Sequence, residues 1–481
     1  MSTNRYLMVS DLHIADVEDH PDGWKRHKGS AWVFDADLGA MLQAFVDRAD
    51  EGDTLTFLLN GDIFDFDLVT VVPEDPPWPL NSLERLYGLD ATEPKSVWKL
   101  ERMLADHPVF LESLAAFCAA GHKVVLIYGN HDRECWFPAV QEAFKDAIIA
   151  AGERLGLAVA RDRILCEAWF YYVPNDVYVE HGHQYDFYSA FRYNLEPLVR
   201  KKDGIHLALP MGNLSNRYLL SNIGTFNPHA TDFILSGIGY IKHWLRYYAF
   251  TRRSIIITWL VGSIRALFAL LRTRRALHRH PPRDYERHLR DAADRYELPL
   301  ETVKSLDSLK MEPITSRFFK IVREFWIDRV ILAALMTGAT ITLALTPIPL
   351  WVKLMVPLTA FPLVWFLYQW LAGTDNAQTV ELASHKYAHA IASRLPVRAV
   401  VFGHSHIPNA VPLARGVMFA NTGTWAPTFS RKDPSKLAQG LRNYVIVDAD
   451  ADRCHVEVGS WMPLAPDPAA SQSLSQRYSP H

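Results

Sequence analysis

Five short apolar runs are spaced along this chain, and each stops abruptly at a polar cluster. They are YLMVSDLH at 6–13, TLTFLLNGDIFD at 54–65, KVVLIYGNHD at 123–132, VYVEHGHQYD at 177–186 and VVFGHSHIP at 400–408. Their length and β-branched content predict buried strands. Between the early runs, apolar residues at helical spacing predict helices over Ala36–Ala49 and Val109–Ala120, the second closed by Gly121. Strand and helix alternating in this way predict an α/β core. Late in the chain, GVMFANTGTW, NYVIVDAD and CHVEVGSW add strands without helical spacers, so that end of the core is expected to be antiparallel.

The pattern changes in the middle. Val330–Leu350 and Leu354–Thr374 each contain 21 residues without a formal charge, separated by a short turn. Each run is long enough to cross a bilayer, and a hairpin of two such helices returns the chain to its starting side. Arg317, Lys320, Arg323 and Arg329 precede the first run whereas the turn carries only Lys353, which places the flanking halves in the cytoplasm. Upstream, residues 254–271 are apolar except for Arg265 and lie between Arg252–Arg253 and the basic stretch RTRRALHRHPPR. This suits a helix lying in the membrane interface, with spanning and ordinary core packing as alternatives.

Composition narrows the function. The chain has 481 residues, a net charge of −3 and a pI near 6.7, unlike a general nucleic-acid binder. Its four cysteines are widely spaced with no CxxC, so neither a disulfide framework nor a thiolate zinc site is expected. The N-terminus runs into the first strand without an apolar signal core, and no secretion signal is expected.

Asp11, His13, Asp62, Asn130, His131, His181, His404 and His406 each directly follow one of the five runs. The carboxyl ends of strands in an α/β sheet share a rim where ligands bind. Carboxylates, imidazoles and one amide without thiolates suit manganese, iron or zinc, with manganese the leading choice. One ion could not use so many ligands, whereas two ions sharing a carboxylate could.

Taken in order, DLH, GDIFD, GNHD, HGH and GHSH resemble the DxH, GDxxD, GNHD, single-His and GHxH motifs of the calcineurin-like metallophosphoesterases. The resemblance covers roughly residues 5–186 and 396–461. It implies a β-sandwich flanked by helices, here interrupted by a large helical, membrane-associated insertion. It further implies two divalent metal ions: Asp11, His13 and His406 would hold one, Asn130, His181 and His404 the other, and Asp62 would bridge them. Metal-activated hydroxide would then attack phosphorus. His131 would stabilise the transition state or protonate the leaving oxygen, with Asp132 orienting its ring. Asp65 and Asp186 are expected to support the site or simply lie at the surface, and Asn421 to shape a loop beside it. His183, His385 and His389 are expected to be structural. HGHQYD also resembles the HGxxxD motif of the enzymes that split UDP-diacylglucosamine, but those carry Arg where this chain has His131.

The expected organisation is a metallophosphoesterase domain in two parts, 1–190 and 376–462, a helical insertion over 191–375 and a disordered tail over 463–481. The expected activity is a membrane-associated phosphohydrolase acting on a phosphate ester or pyrophosphate, its substrate lipid-linked. The alternatives are a tethered enzyme for a soluble nucleotide or small phosphoester, and a non-catalytic, metal-stabilised scaffold. Membrane lipids are expected partners and nucleic acids are not.

Overall fold

The computed structural model describes residues 4–21, 24–50, 53–201, 203–224, 229, 255–325, 327–372, 379–427, 442–449 and 454–461. The expected tail and residues 230–254 of the insertion lie outside these.

All five apolar runs form strands. The first sheet has six, in the order β13 (Cys454–Ser460), β12 (Asn443–Ala449), β1 (Asn4–Val9), β2 (Leu55–Asn60), β3 (Lys123–Ile127) and β4 (Ile164–Glu167). β1 through β4 run parallel, and β12 and β13 close the edge antiparallel. The second sheet has five, ordered β10 (Asn409–Pro412), β11 (Met418–Asn421), β9 (Ala399–Phe402), β6 (Val177–Glu180) and β5 (Phe170–Val173). The late strands are only partly antiparallel: β12 and β13 pair that way, but β11 runs parallel to β9 because β10 carries the chain back first. A separate hairpin joins β7 (Leu198–Lys201) to β8 (Gly204–Leu207).

The two sheets face each other across a dry layer in which Tyr6, Met8, Leu58, Val125 and Ile127 meet Val177, Val179, Ala399, Val401 and Ala420. In the central strands, every second residue points into this layer and the intervening ones into a helical layer, which is why these runs are apolar throughout. The helices, in chain order, are α1 (Asp35–Val46), α2 (Glu84–Tyr87), α3 (Glu93–Asp106), α4 (Pro108–Ala119), α5 (Pro138–Arg154), α6 (Met211–Tyr218), α7 (Ile255–Arg279), α8 (Tyr285–Arg295), α9 (Leu300–Asp307), α10 (Phe318–Glu324), α11 (Ile327–Leu345), α12 (Leu350–Ala372) and α13 (Thr379–Ala392). Leu38, Leu100, Leu114 and Phe144, from α1, α3, α4 and α5, cover the outer face of the first sheet. Leu289, Val303 and Ile391 from α8, α9 and α13 cover the second. Leu207, Leu209, Leu214 and Tyr218 also belong to the first core, so residues just past 190 pack with the sheets rather than apart from them.

The helix expected over 254–271 is longer, ending at Arg279. Ala266 and Leu270 bury one face in the first core, while Leu260, Ile264 and Phe268 lie exposed on another. The two uncharged runs form α11 and α12, which begin a few residues before the expected boundaries and are long and apolar enough to cross a membrane. Among the described residues almost nothing covers them: Leu345, Leu350, Phe366 and Trp370 are all more than two-thirds exposed. Their bases are clasped by polar pairs. Tyr368 donates to Asp328, and Arg329 Nη2 donates to Gln369 Oε1 at 3.2 Å and Nη1 to the Arg323 carbonyl at 3.1 Å. The clasp is tied to the domain through Tyr188, whose hydroxyl donates to Glu324 Oε2 at 2.6 Å, and Ile321, which is buried in the first core.

Leu58 lies between the sheets with no exposed surface. Leu58→Ala should therefore destabilise the fold by about 2–5 kcal/mol, read as a lowered thermal midpoint in detergent. Phe366→Ala, on the uncovered hairpin, should leave that midpoint nearly unchanged.

Candidate metal centre

The candidate residues converge because both sheets present the carboxyl ends of parallel strands to one rim. Asp11, Asp62 and Asn130 follow β1, β2 and β3, and His181 and His404 follow β6 and β9. The turns there are strained. Asp11, His13, Asp62, His404 and His406 all have positive φ, between 50° and 65°, a region that side chains other than glycine rarely adopt. Two motif glycines make room: a Cβ on Gly61, itself at φ 79°, would lie 2.5 Å from the His181 ring, and one on Gly129 would lie 2.1 Å from Asp62 Oδ1.

Two groups have ligand geometry. Asp11, His13 and His406 form one, with His406 Nε2 2.9 Å from Asp11 Oδ1 and 3.5 Å from His13 Nε2. Asp62, His181 and His404 form the other, with His181 Nε2 3.1 Å from Asp62 Oδ2. Hydrogen bonds behind the rings choose the inward nitrogen. His181 Nδ1 donates to the Asn60 carbonyl at 2.9 Å and His406 Nδ1 to that of His229 at 2.8 Å, so each turns Nε2 inward as a lone-pair donor. His404 Nε2 is engaged by Asp186 Oδ2 at 3.1 Å, which leaves its other nitrogen as the ligand atom. Asn130 is held by Asn213, whose amide donates to the Asn130 carbonyl at 2.8 Å and to Asp67 Oδ2 at 2.6 Å.

A third group joins His13 to Asp65, His131 and His229. Neither His229 nor Asp67 stands out in the sequence. His229 stacks on His13 with ring centroids 3.5 Å apart and has Nε2 2.5 Å from Asp65 Oδ2. The same Asp65 oxygen lies 3.4 Å from His131 Nδ1, with Asp67 Oδ2 at 3.6 Å. Asp65 and Asp67 therefore face the His131 ring, not Asp132 as expected. Asp132 is turned away: its carboxylate accepts the Ile63 amide at 2.8 Å and the Gly129 amide at 2.5 Å, bracing the two motif turns against each other. Asn421 does the same for β9, donating to the Gly403 carbonyl at 2.6 Å. His183 is buried against Gln184, and His385 lies beside Phe419, outside any ligand group among the described residues.

Burial raises every acid here and lowers every imidazole, so the shifts that oppose it measure mutual attraction. Burial acts against the Asp11 carboxyl, yet His406 and His181 hold it at about 2. Asp62 is likewise held well below its usual range, against its burial, by His181 and His131. In return, Asp62 and Asp11 lift His181 to about 9 against its burial. Burial and the nearby Asp62 push Asp132 up to about 7. Protons on His181, His131 and His406 thus balance the carboxylates, a task that cations among the same atoms would take over. Asp11 Oδ1 and Asn130 Oδ1 are buried without an aligned hydrogen-bond donor, as metal ligands would be. The residues fit divalent ions.

Buried strand-end carboxylates, imidazoles and an amide around such atoms form a site suited to divalent metal ions. Residues 5–237 match the family model for calcineurin-like phosphoesterases, and a domain of that kind marks a metal-dependent phosphoester hydrolase. No curated protein matches it.

Gly129→Ala should displace the Asp62 carboxylate. The expected outcome is a loss of metal content together with a lower thermal midpoint, measured by elemental analysis and calorimetry; Gly121→Ala, where nothing lies within 4 Å of the new Cβ, should retain its metal.

Proposed function

We propose that the chain is a membrane-anchored dimetal phosphohydrolase whose substrate is a lipid-linked phosphoester or pyrophosphate. The observation that carries the reading is the convergence of seven strand-end side chains on one rim, with Asp11 Oδ1 and Asn130 Oδ1 buried and undonated. In it, Asp11, His13 and His406 would hold one ion, Asn130, His181 and His404 the second, and Asp62 would serve both. Bound divalent ions supply Lewis-acid polarisation of a phosphoryl oxygen and a lowered pKa for water.

The chain's own groups do the rest. Asp186 fixes the His404 ring, and the Asn60 and His229 carbonyls fix His181 and His406. Asp65 and Asp67 face His131 Nδ1 at 3.4 and 3.6 Å, and charge from Asp65 and Asp62 raises that imidazole well above its usual range despite burial. His131 Nε2 is then the atom that protonates the leaving oxygen or stabilises charge on the phosphoryl group. In the same reading the catalytic unit comprises 1–190 and 376–462 together with the segment that carries Asn213 and His229, and the rest of 191–375 is the insertion.

The membrane part rests on the uncovered α11–α12 hairpin and its short tether to the rim. Glu324 at its base holds Tyr188, two residues from Asp186. The cationic flank before α11 supports a cytoplasmic catalytic unit in this reading.

Asp62→Asn should lose metal and activity together. His131→Asn should keep both ions while turnover falls roughly 10²–10⁴-fold; loss of its metal would overturn that role. Incubating the detergent-purified protein with a total membrane-lipid extract should release phosphate and shift the mass of a lipid product. Replacing Ile327–Ala372 by a flexible linker should spare hydrolysis of nitrophenyl phosphate and abolish hydrolysis of the lipid. Full retention of the lipid activity would favour a soluble-substrate enzyme. The intact chain should also resist carbonate extraction from membranes, since two spans anchor effectively irreversibly.

A further inference from the structure

Away from the rim, on the other side of α6, a cleft of about 940 Å³ opens between α7 and the β7–β8 hairpin. Its walls carry six cationic side chains, Arg200, Lys201, Arg217, Arg272, Arg275 and Arg279, against two carboxylates, Asp90 and Asp203. Both carboxylates are already engaged. Asp90 pairs with Arg217 at 2.8 Å, and Asp203 accepts from His206 at 3.1 Å. Arg200, Arg272, Arg275 and Arg279 make no ion pair among the described residues, so the cleft keeps an excess of positive charge that a packed wall alone does not need.

The arginines of α7 have a fixed relation to its exposed apolar side. Leu260, Ile264 and Phe268 recur every fourth residue, and Arg272, Arg275 and Arg279 continue the same stripe over the next two turns. A helix whose exposed stripe is apolar along one half and cationic along the other matches acyl chains beside phosphate, in that order. Tyr218, Leu209 and Ala269 line the floor with apolar surface suited to a glycerol or upper acyl segment.

From this charge complementarity and its continuity with the apolar stripe, we propose that the cleft between α7 and β7–β8 binds the phosphate-bearing headgroup of an anionic membrane phospholipid, at a site separate from the metal rim. Arg272 and Arg275 grip the phosphate, with Arg200 opposite them, while Ile264 and Phe268 pack in the acyl layer. The membrane attachment proposed above brings the ligand within reach, but binding itself needs neither the spans nor the metals.

The test uses the full chain in detergent, titrated calorimetrically with soluble dioctanoyl phosphatidylglycerol, dioctanoyl phosphatidylcholine or inorganic phosphate. Saturable binding of phosphatidylglycerol is expected, with phosphatidylcholine and inorganic phosphate at least tenfold weaker. Arg272→Gln/Arg275→Gln should weaken phosphatidylglycerol binding roughly 30-fold while metal content and nitrophenyl phosphate turnover stay unchanged. Asp62→Asn should keep the wild-type lipid affinity, which separates this site from the rim. Equal binding of phosphatidylcholine, tight binding of free phosphate, or full affinity in the double variant would each overturn the proposal. If the double variant loses metal or thermal stability, Arg200→Gln supplies the same comparison from the opposite wall.

Discussion

Four carboxylates, Asp11, Asp62, Asp65 and Asp132, are buried almost completely at one rim. Ionised acids cannot be taken out of water at such density unless something compensates them at close range. The surrounding architecture meets that demand in several ways. His406 and His181 face Asp11, His181 faces Asp62, and His229 and His131 face Asp65, each within 3.5 Å except for the longer Asp11–His181 approach of 4.0 Å. Asp132 pairs with no imidazole among the described residues; backbone amides favour its ionised form, but burial and the neighbouring Asp62 outweigh them, and it alone of the four is driven toward the neutral form.

The rim is also where distant parts of the chain are sewn together. The Asp11 carbonyl accepts the amides of Trp425 and Ala426, and Asp11 Oδ2 accepts the His404 amide across 393 positions of sequence. Nothing local can assemble this arrangement, and the closure entropy of so long an excursion is recovered only when β9, β11 and β12 enter the two sheets. An excursion that leaves through a helical hairpin must bring the chain back to the same side. Two antiparallel helices clasped at their base by Arg329 and Gln369 do so.

Much of this was legible from residue order because the strand-end motifs combine two signals, an apolar run and an abrupt polar stop. β1, β2, β3, β6 and β9 appear where those runs lie, and α1 and α4 lie within two or three residues of the expected helices. What stayed hidden lacks that pairing. His229 follows no apolar run, and only its contacts with His13, Asp65 and His406 reveal it. Asp67 falls in a loop whose folding back toward His131 depends on tertiary contacts, and the same fold-back turns Asp65, expected either to support the site or to lie at the surface, onto that ring. Asp132, which the resemblance assigned to the His131 ring, instead accepts the Ile63 and Gly129 amides, because consecutive residues in a tight turn diverge. The direction of β11 was missed because the return strand β10 is only four residues long and half exposed.

The left-handed backbone at Asp11, His13, Asp62, His404 and His406 sets chemistry and durability against each other. Each such residue costs on the order of 1–3 kcal/mol, and glycine would relieve most of that while deleting the side chain. Five independent routes therefore lead from this chain to a sturdier but inert sandwich. A screen that rewards only heat tolerance or soluble yield would drive the protein down them, and any engineering of this scaffold has to select for turnover at every round.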